Sequence, residues 1–266
     1  MRKFFFYRTL NWGWHRLSAW NTSGEGIHSP YLFYIVRFLF PRLHRYYCWD
    51  EIEKQRSLLS SYSQVIPVTD YGTGTKTALK VSSIASSHLE QPAVGELFFK
   101  LLVHLRHELD RPLNIVELGT SFGITTAYLA MPHSANHVTT YEGNPETLRL
   151  AQENWKRLGL TNITPVLGNI DDTLFNTHAS EAKADFVFID ANHRQEPTIR
   201  YVNHFLPLLH DHSIVVIDDI YHSPQMTEAW KQLCALPQVT STFNCYHFGI
   251  LFFDPHFLKR HYRIRI

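Results

Sequence analysis

The stretch Val116-Glu117-Leu118-Gly119-Thr120-Ser121-Phe122-Gly123 decides the fold. It completes a short apolar strand that begins at Asn114 and leads into a helix that ends near Ala130. A strand, a glycine turn and a helix in this order are typical of an open α/β sheet, whose ligand lies beyond the carboxyl ends of the strands. The glycines let a ligand approach the backbone closely, so this turn is the first candidate site.

A regular rhythm of strands and helices surrounds this turn and predicts a parallel sheet with helices on both faces. The predicted strands are Asn114–Leu118, Val138–Tyr141, Ile163–Leu167, Asp185–Ile189 and Ser213–Ile217. Two more strand-like runs, Val239–Asn244 and Tyr246–Phe253, follow without a helix between them, which indicates a hairpin at one edge of the sheet. Residues 1–90 are aromatic-rich and lack the rhythm. We therefore predict a mostly helical extension at 1–90, with a possible role as a lid, followed by one α/β domain at 91–266.

Composition excludes several classes of protein. The chain has 266 residues, 44% of them hydrophobic and 18% charged, which is a globular composition. A net charge of +1 gives no strong field for nucleic acid, so we expect no such partner. Three widely spaced cysteines predict neither a disulfide framework nor a zinc site and favour the cytoplasm. The apolar run Tyr31–Phe40 is too short to span a bilayer, which needs about 20 residues.

The residues of the glycine turn select the kind of ligand. A dinucleotide fingerprint needs a glycine at the position of Ser121, where it makes room for a pyrophosphate. Glu117, just before the turn, suits a cationic ligand without phosphate, and S-adenosylmethionine is one. Glu142 lies 25 residues further on, at the end of the second strand, where a carboxylate can accept both hydroxyls of a ribose. The loop after the third strand, Gly168-Asn169-Ile170, is expected to face an adenine.

A second glycine-rich turn, Asp70–Thr75, imitates the first. Val65–Val68 could be its strand, although Pro67 weakens that interpretation. No second strand with a terminal acid follows within about 20–25 residues, the distance at which the ribose acid normally comes. We interpret the segment as a loop of the N-terminal extension that could fold over the active site.

Four motifs together resemble the class I S-adenosylmethionine-dependent methyltransferases, and in particular the group of catechol and caffeoyl-coenzyme A O-methyltransferases. They are Ile115–Gly123, Tyr141-Glu142-Gly143-Asn144, Phe188-Ile189-Asp190-Ala191-Asn192-His193 and Ile217-Asp218-Asp219. The resemblance implies a Rossmann-like, doubly wound sheet of seven strands whose last strand is antiparallel. It also implies methyl transfer to a small-molecule acceptor, most simply at oxygen. The predicted cofactor-binding residues are Glu117, Gly119, Thr120, Ser121, Gly123, Glu142, Gly143, Asn144, Gly168, Asn169, Ile170 and Asp190.

The resemblance also suggests a metal site. In the catechol-type enzymes an Asp and an Asp-Asn pair hold Mg²⁺, and the matching residues here are Asp190, Asp218 and Asp219. Carboxylate oxygens suit such a hard cation. The family's catalytic lysine is replaced by His193, whose pKa range suits a general base near neutral pH. We therefore treat His193 and Asp190 as the catalytic candidates.

Three alternatives remain open at this stage. A nicotinamide-dependent oxidoreductase has a similar sheet, although Ser121 argues against it. A nucleic-acid methyltransferase would carry an Asn/Asp-Pro-Pro-aromatic motif after the fourth strand, where this chain has Asp190-Ala191-Asn192-His193. A non-catalytic S-adenosylmethionine-binding protein would keep the fold alone. The sequence does not name the acceptor, and it leaves a homodimer open.

Overall fold

The computed structural model describes residues 4–43, 45–71, 74–87, 89–176 and 182–266, without the side chains of Asp70 and Asn176. The α-helices are α1 (Phe5–Ser18), α2 (Pro30–Tyr34), α3 (Tyr47–Ser61), α4 (Val81–Ser87), α5 (Pro92–Leu109), α6 (Ile124–Ala130), α7 (Pro145–Arg157), α8 (Ile170–Asn176), α9 (Gln195–Phe205) and α10 (Pro224–Ala235). The strands are β1 (Val65–Asp70), β2 (Thr75–Lys80), β3 (Asn114–Leu118), β4 (His137–Glu142), β5 (Ile163–Leu167), β6 (Phe186–Ile189), β7 (Ile214–Asp218), β8 (Ser241–Asn244), β9 (Phe248–Phe252) and β10 (Arg260–Arg263). Shorter turns are 3-10 at Trp20–Ser23 and Leu206–Leu208 and π-helical at Ile35–Leu39. This alternation confirms the predicted α/β class.

The chain divides into two compact units. The terminal unit combines Met1–Pro41 with Glu181–Ile266, and the central unit is Arg42–Ser180. These units cut across the boundary expected at residue 90. The assignment of an extension at 1–90 and one family domain at 91–266 stays a prediction.

The central unit is built on three parallel strands, β3, β4 and β5, with β4 in the middle. Leu118 pairs with Tyr141, and Glu142 pairs with Leu167, so the carboxyl ends of the strands are level. Consequently the three loops that carry the predicted cofactor residues leave the strands at one edge. The core beneath them is aromatic and aliphatic, and Phe122, Tyr128 and Trp155 are buried in it.

The second glycine-rich turn belongs to a β-hairpin in the central unit and not to the loop that we expected. Strands β1 and β2 pair antiparallel from Val65↔Lys80 to Asp70↔Thr75. Pro67 is compatible with this pairing because a strand of a two-stranded ribbon has one side without a partner strand, where the missing N–H costs nothing. Gly72 and Thr73 lie outside the described residues.

The terminal unit contains five strands in the order β10-β8-β9-β7-β6. Strands β6 and β7 are parallel, whereas β9 is antiparallel to both β7 and β8, which confirms the predicted terminal hairpin and its antiparallel strand. Strand β10 pairs parallel with β8 and makes eight strands, where seven were expected for the sheet. The sequence could not predict it, since Arg-His-Tyr-Arg has no apolar alternation beyond the buried Tyr262.

The core of the terminal unit lies around β6 and β7. Every residue of these two strands is buried, as expected for central strands covered on both faces. The polar side chains that follow them are therefore held on a rigid base. Among the described residues, no helix is both long and apolar enough to cross a membrane.

Candidate active site

The glycine turn after β3 follows a left-handed path. Gly119, Ser121 and Gly123 have φ angles of 101°, 49° and 71°. For Ser121 this conformation costs about 1–2 kcal/mol, a local strain of the kind found at binding sites. A Cβ at Gly123 would lie 2.3 Å from Nε1 of Trp155, so only glycine fits there. The Trp155 indole donates to the Gly123 carbonyl at 2.9 Å, and α7 thereby braces the turn.

Glu117 lies directly beneath this turn and is fully buried. Its Oε2 accepts hydrogen bonds from the hydroxyls of Thr126 and Thr140. The Thr140 hydroxyl donates its hydrogen bond to Glu117. In the hydrogen bond of 2.6 Å between Thr120 and Thr140, Thr120 must therefore be the donor. Among the described residues, Oε1 of Glu117 has no hydrogen-bond partner. Such an orphaned acceptor is costly in a buried position and points to a ligand that donates to it.

The protonation state of Glu117 follows from this burial. Desolvation raises the pKa of Glu117 from 4.5 to about 8, against the two threonine hydrogen bonds, which favour the charged form. The protein without ligand therefore holds a proton on Glu117 near neutral pH. A cation beside Oε1 would reverse this preference.

Glu142 joins the first two loops. Its Oε2 accepts from the backbone N–H of Ser121 at 2.9 Å, and its Oε1 accepts from the N–H of Asn144 at 2.8 Å. Burial raises the pKa of Glu142, and these hydrogen bonds lower it in part. Each carboxylate oxygen retains a second lone pair, so the group can still accept from a diol.

The third loop also reaches Glu142. The Gly168 N–H donates to the Glu142 carbonyl at 2.9 Å. Asn169 then begins α8, since its side-chain oxygen accepts from the N–H of Asp171 at 3.2 Å, and Ile170 is the first residue of the helix. The structure thus brings together every predicted cofactor residue of the central unit. Asp190, the remaining one, lies in the terminal unit.

The β1–β2 hairpin rests on the second of these loops. Thr69 and Asn144 exchange two hydrogen bonds, Thr69 N–H to Oδ1 at 2.6 Å and Nδ2 to the Thr69 carbonyl at 3.1 Å. The Tyr71 hydroxyl donates to the Gly143 carbonyl at 3.0 Å, and its ring is so close that a Cβ at Gly143 would lie 2.4 Å from it. Sequence reasoning missed Tyr71, because nothing local connects residues 71 and 143.

The terminal unit carries a cluster of candidate ligands after β6 and β7. Asp190, His193 and Asp218 each offer one ligand atom, and these atoms lie within 4.8 Å of one another. Nε2 of His193 is 3.5 Å from Oδ1 of Asp190. Asn192 and His193 have φ angles of 65° and 25°, so the loop after β6 is held in a strained path that brings His193 back over the strand end.

Asp219 is not in that group and has other partners. Its Oδ2 lies 3.2 Å from Nδ1 of His222, and its Oδ1 lies 3.8 Å from the Arg8 guanidinium. Burial by itself would raise the pKa of Asp219, but the hydrogen bond to His222 and the charges of His193, His222 and Arg8 lower it overall. The approach of Arg8 to Asp219 joins residues 211 positions apart and had no local signal in the sequence.

Two pairs of rings stack in the loops of the terminal unit. The rings of His193 and His222 stack at 5.4 Å, and those of Tyr221 and Tyr246 at 5.2 Å. The Tyr246 hydroxyl donates to the Arg8 carbonyl at 2.7 Å, so α1 is attached to the ring pair of Tyr221 and Tyr246. These flat, partly polar surfaces suit an aromatic or otherwise planar small molecule.

Comparison with known proteins identifies the domain that carries these residues. Residues 116–220 match the family model described as a methyltransferase domain. The match begins in β3 and ends just after Asp218 and Asp219, so it spans both candidate clusters. No curated protein matches the chain by sequence.

Solved structures with the same fold include three methyltransferases. An O-methyltransferase from Bacillus cereus in complex with S-adenosylhomocysteine is 18% identical, with a TM-score of 0.57 over 79% of this chain and 91% of that one. TomG from Streptomyces achromogenes, an O-methyltransferase of tomaymycin synthesis in complex with S-adenosylmethionine, is 18% identical, with a TM-score of 0.52 over 76% and 98%. The methyltransferase PaMTH1 of Podospora anserina, bound to S-adenosylhomocysteine, is 14% identical, with a TM-score of 0.53 over 80% and 99%.

These likenesses establish the Rossmann-like fold, and the family model establishes the domain within it. The resemblance that the four motifs suggested is therefore confirmed. The protein is an S-adenosylmethionine-dependent methyltransferase, and residues 116–220 belong to its methyltransferase domain.

Proposed function

We propose that the protein transfers the methyl group of S-adenosylmethionine to a hydroxyl of a small planar acceptor. One observation carries the choice of cofactor: two buried carboxylates, Glu117 and Glu142, lie at the ends of adjacent strands beside a turn that lacks the glycine needed for a pyrophosphate. The complexes of the Bacillus and Streptomyces enzymes with S-adenosylhomocysteine and S-adenosylmethionine support it.

Each of the three loops would bind a different part of the cofactor. Oε1 of Glu117 would accept from the ammonium group of the amino-acid moiety, and Glu142 would accept from the ribose hydroxyls through its remaining lone pairs. Gly168, Asn169 and Ile170 would hold the adenine. Fixing the cofactor in this way orients the methyl group, and orientation is a large contribution to this kind of reaction.

Methyl transfer is an in-line displacement. The acceptor oxygen forms a bond to the methyl carbon while the carbon–sulfur bond breaks, and its electrons remain on sulfur as a neutral thioether. The hydroxyl proton has to leave, which a cation or a general base can assist. Asp190, His193 and Asp218 fit a divalent cation, since two carboxylates and one imidazole converge within 4.8 Å. The imidazole favours a transition-metal ion over Mg²⁺. Such an ion would lower the pKa of a bound hydroxyl.

A metal-free variant of this mechanism uses the same residues. His193 then takes the hydroxyl proton itself, and Asp190, 3.5 Å from its Nε2, stabilises the imidazolium that results. Removal of divalent ions with a chelator distinguishes the two, because it abolishes turnover only in the first.

The test of the proposed function is methyl transfer from tritiated S-adenosylmethionine to a panel of catechols, phenols, carboxylic acids, amines and nucleic acid, with and without Mg²⁺ or Mn²⁺. Labelled product with a hydroxylated aromatic acceptor is the expected result. Transfer to none of the hydroxylated acceptors, together with transfer to amines or nucleic acid, would refute it.

We assign the reaction to the cytoplasm, in keeping with three free cysteines.

Binding of S-adenosylhomocysteine is expected to release about one proton near neutral pH. Glu117 holds its proton up to a pKa of about 8 in the free protein, and the ligand's ammonium group lowers that pKa. Calorimetry in buffers of different ionisation enthalpy measures the proton count. For Glu117→Gln the count falls to near zero. A count unaffected by that substitution would contradict the assignment of Glu117.

The same group gives a pH dependence of folding. In the unfolded chain Glu117 loses its proton near 4.5, and in the folded chain near 8. Between these values the folded state holds more protons, so this group makes the free energy of unfolding fall as pH rises. The Glu117→Gln variant lacks this contribution, which chemical denaturation at several pH values will reveal.

Replacing Tyr71 with alanine is expected to weaken S-adenosylhomocysteine binding by about threefold to tenfold. The ring and hydroxyl of Tyr71 hold Gly143, and without them the loop between Glu142 and Asn144 must be ordered by the ligand. Calorimetric titration measures the loss. Tyr47→Ala, at a more exposed position of the same unit (89% against 48% for Tyr71), is the control and should bind as wild type.

A further inference from the structure

Helix α1 presents an unusual surface to solvent. Its exposed side chains are mainly large and apolar: Phe5, Phe6, Leu10, Trp12, Trp14 and Leu17, followed by Trp20. Leu17 is 85% exposed, Phe6 74% and Trp14 63%. At 100° per residue, Phe6, Leu10, Trp14 and Leu17 form one stripe along the helix. A contiguous patch of this kind on a surface indicates an interaction site.

Other residues of α1 attach the helix to the rest of the terminal unit by hydrogen bonds. The helix is therefore already packed, and the stripe is not needed to form the core of the unit. The Tyr7 hydroxyl donates to Thr227 Oγ1 at 2.8 Å. Nε2 of the buried His15 lies 2.9 Å from the Asn244 carbonyl. These bonds fix the rotation of the helix and leave the stripe outward.

The sequence segment that contains α1 is rich in cations, one of which, Arg8, lies 3.8 Å from Asp219. The first 23 residues contain four cations, Arg2, Lys3, Arg8 and Arg16, and no Asp or Glu. The last 12 residues contain another four, Lys259, Arg260, Arg263 and Arg265, again without an acid. Of the first four, Arg16 lies over the Trp12 ring at 5.2 Å, on the exposed side.

Strand β10 brings the two basic segments together. The Arg263 N–H donates to Oδ1 of Asn21 at 3.1 Å, and the Arg265 N–H donates to Oγ1 of Thr22 at 3.0 Å. Both acceptors lie in the 3-10 turn that follows α1. Glu25 is the nearest acid in sequence, and its carboxylate accepts from the N–H of Ser23.

We propose that α1 and the basic C-terminal strand bind the surface of a bilayer that contains anionic lipid, with the stripe inserted at the level of the headgroups. Tryptophan, phenylalanine and leucine on one face with arginine at the margin are the combination that interfacial helices use. Each cation near an anionic surface adds to the attraction. A symmetric dimer through the same face would bring these cations against their own copies, which opposes it. Nucleic acid would leave Leu10 and Leu17 without apolar contacts.

The test is flotation of the full-length protein with vesicles of phosphatidylcholine alone and of phosphatidylcholine and phosphatidylglycerol in equal parts. Expected is binding to the anionic vesicles that weakens with salt and is much weaker on the neutral ones. The double variant Trp14→Ser with Leu17→Ser should lose about tenfold or more of the binding. The control, Tyr47→Ser with Leu43→Ser, removes one aromatic and one leucine that are also strongly exposed, at 89% and 69%, and should bind as wild type.

Three results would overturn the proposal: no binding of wild type to anionic vesicles, equal loss in the control variant, or a stripe variant that changes a dimer to a monomer in light scattering without changing lipid binding. The last result would assign the stripe to a second copy of the chain. Binding of S-adenosylhomocysteine to the stripe variant reports its folding, and it keeps this proposal separate from that of the active site.

Discussion

Substitution of Asp218 by asparagine is expected to lower kcat about 10²–10⁴-fold and to leave the affinity for S-adenosylhomocysteine nearly unchanged. Asp218 is buried at the end of β7, within 4.8 Å of ligand atoms of Asp190 and His193. Asparagine keeps the shape and one oxygen but removes the charge that holds a cation or stabilises an imidazolium. Turnover of the best acceptor of the hydroxylated panel measures the effect.

The control for this variant is Asp211→Asn. Asp211 is exposed in the turn before β7, so it precedes the strand that Asp218 completes. The same chemical change there should alter neither kcat nor affinity. An Asp218→Asn enzyme that retains full kcat would exclude the carboxylate cluster from catalysis, in both the metal-assisted and the metal-free mechanism.

Substitution of Glu142 by glutamine is expected to raise the Kd for S-adenosylhomocysteine about 100-fold. Glu142 accepts two backbone N–H groups and, in the proposed complex, the ribose diol. In glutamine one of the two oxygens becomes an NH₂ group, which would face the N–H of Ser121 or of Asn144 as donor against donor. The variant therefore loses ligand contacts and also loosens the loop that presents them.

Glu146→Gln provides the matched comparison for Glu142. Glu146 lies in the first turn of α7, and its carboxylate forms a salt bridge with Arg149 at 3.1 Å. Surface pairs of this kind contribute about 0–1 kcal/mol. We expect unchanged affinity in this variant. Equal affinity of Glu142→Gln and wild type would show that the acid of β4 does not bind the cofactor.

The cofactor loops could be predicted because they depend on local patterns and on sheet geometry. Apolar runs locate the strands, and parallel neighbours bring their carboxyl ends to one edge, so Glu117 and Glu142 can be paired without coordinates. The complete burial of Glu117 could not be predicted from these patterns. The sequence indicated an acid suited to a cation, whereas the structure adds that Glu117 is protonated when no cation is present and that one of its oxygens lacks a partner.

Contacts between distant parts of the chain could not be predicted. Tyr71 reaches Gly143 through a hairpin that Pro67 made improbable from sequence alone, and Arg8 reaches Asp219 from a helix that showed no link to the sheet. Asp219 illustrates the same limit. The motif joined it to Asp190 and Asp218, but adjacent residues beyond a strand point in different directions, and its left-handed φ of 51° turns it toward His222.

The most direct measurement of the central claim is calorimetric titration of the wild-type protein with S-adenosylhomocysteine and, separately, with NADH. The account predicts one site for S-adenosylhomocysteine, an affinity that falls about 100-fold in Glu142→Gln, and no heat with NADH. Binding of NADH without binding of S-adenosylhomocysteine would contradict it.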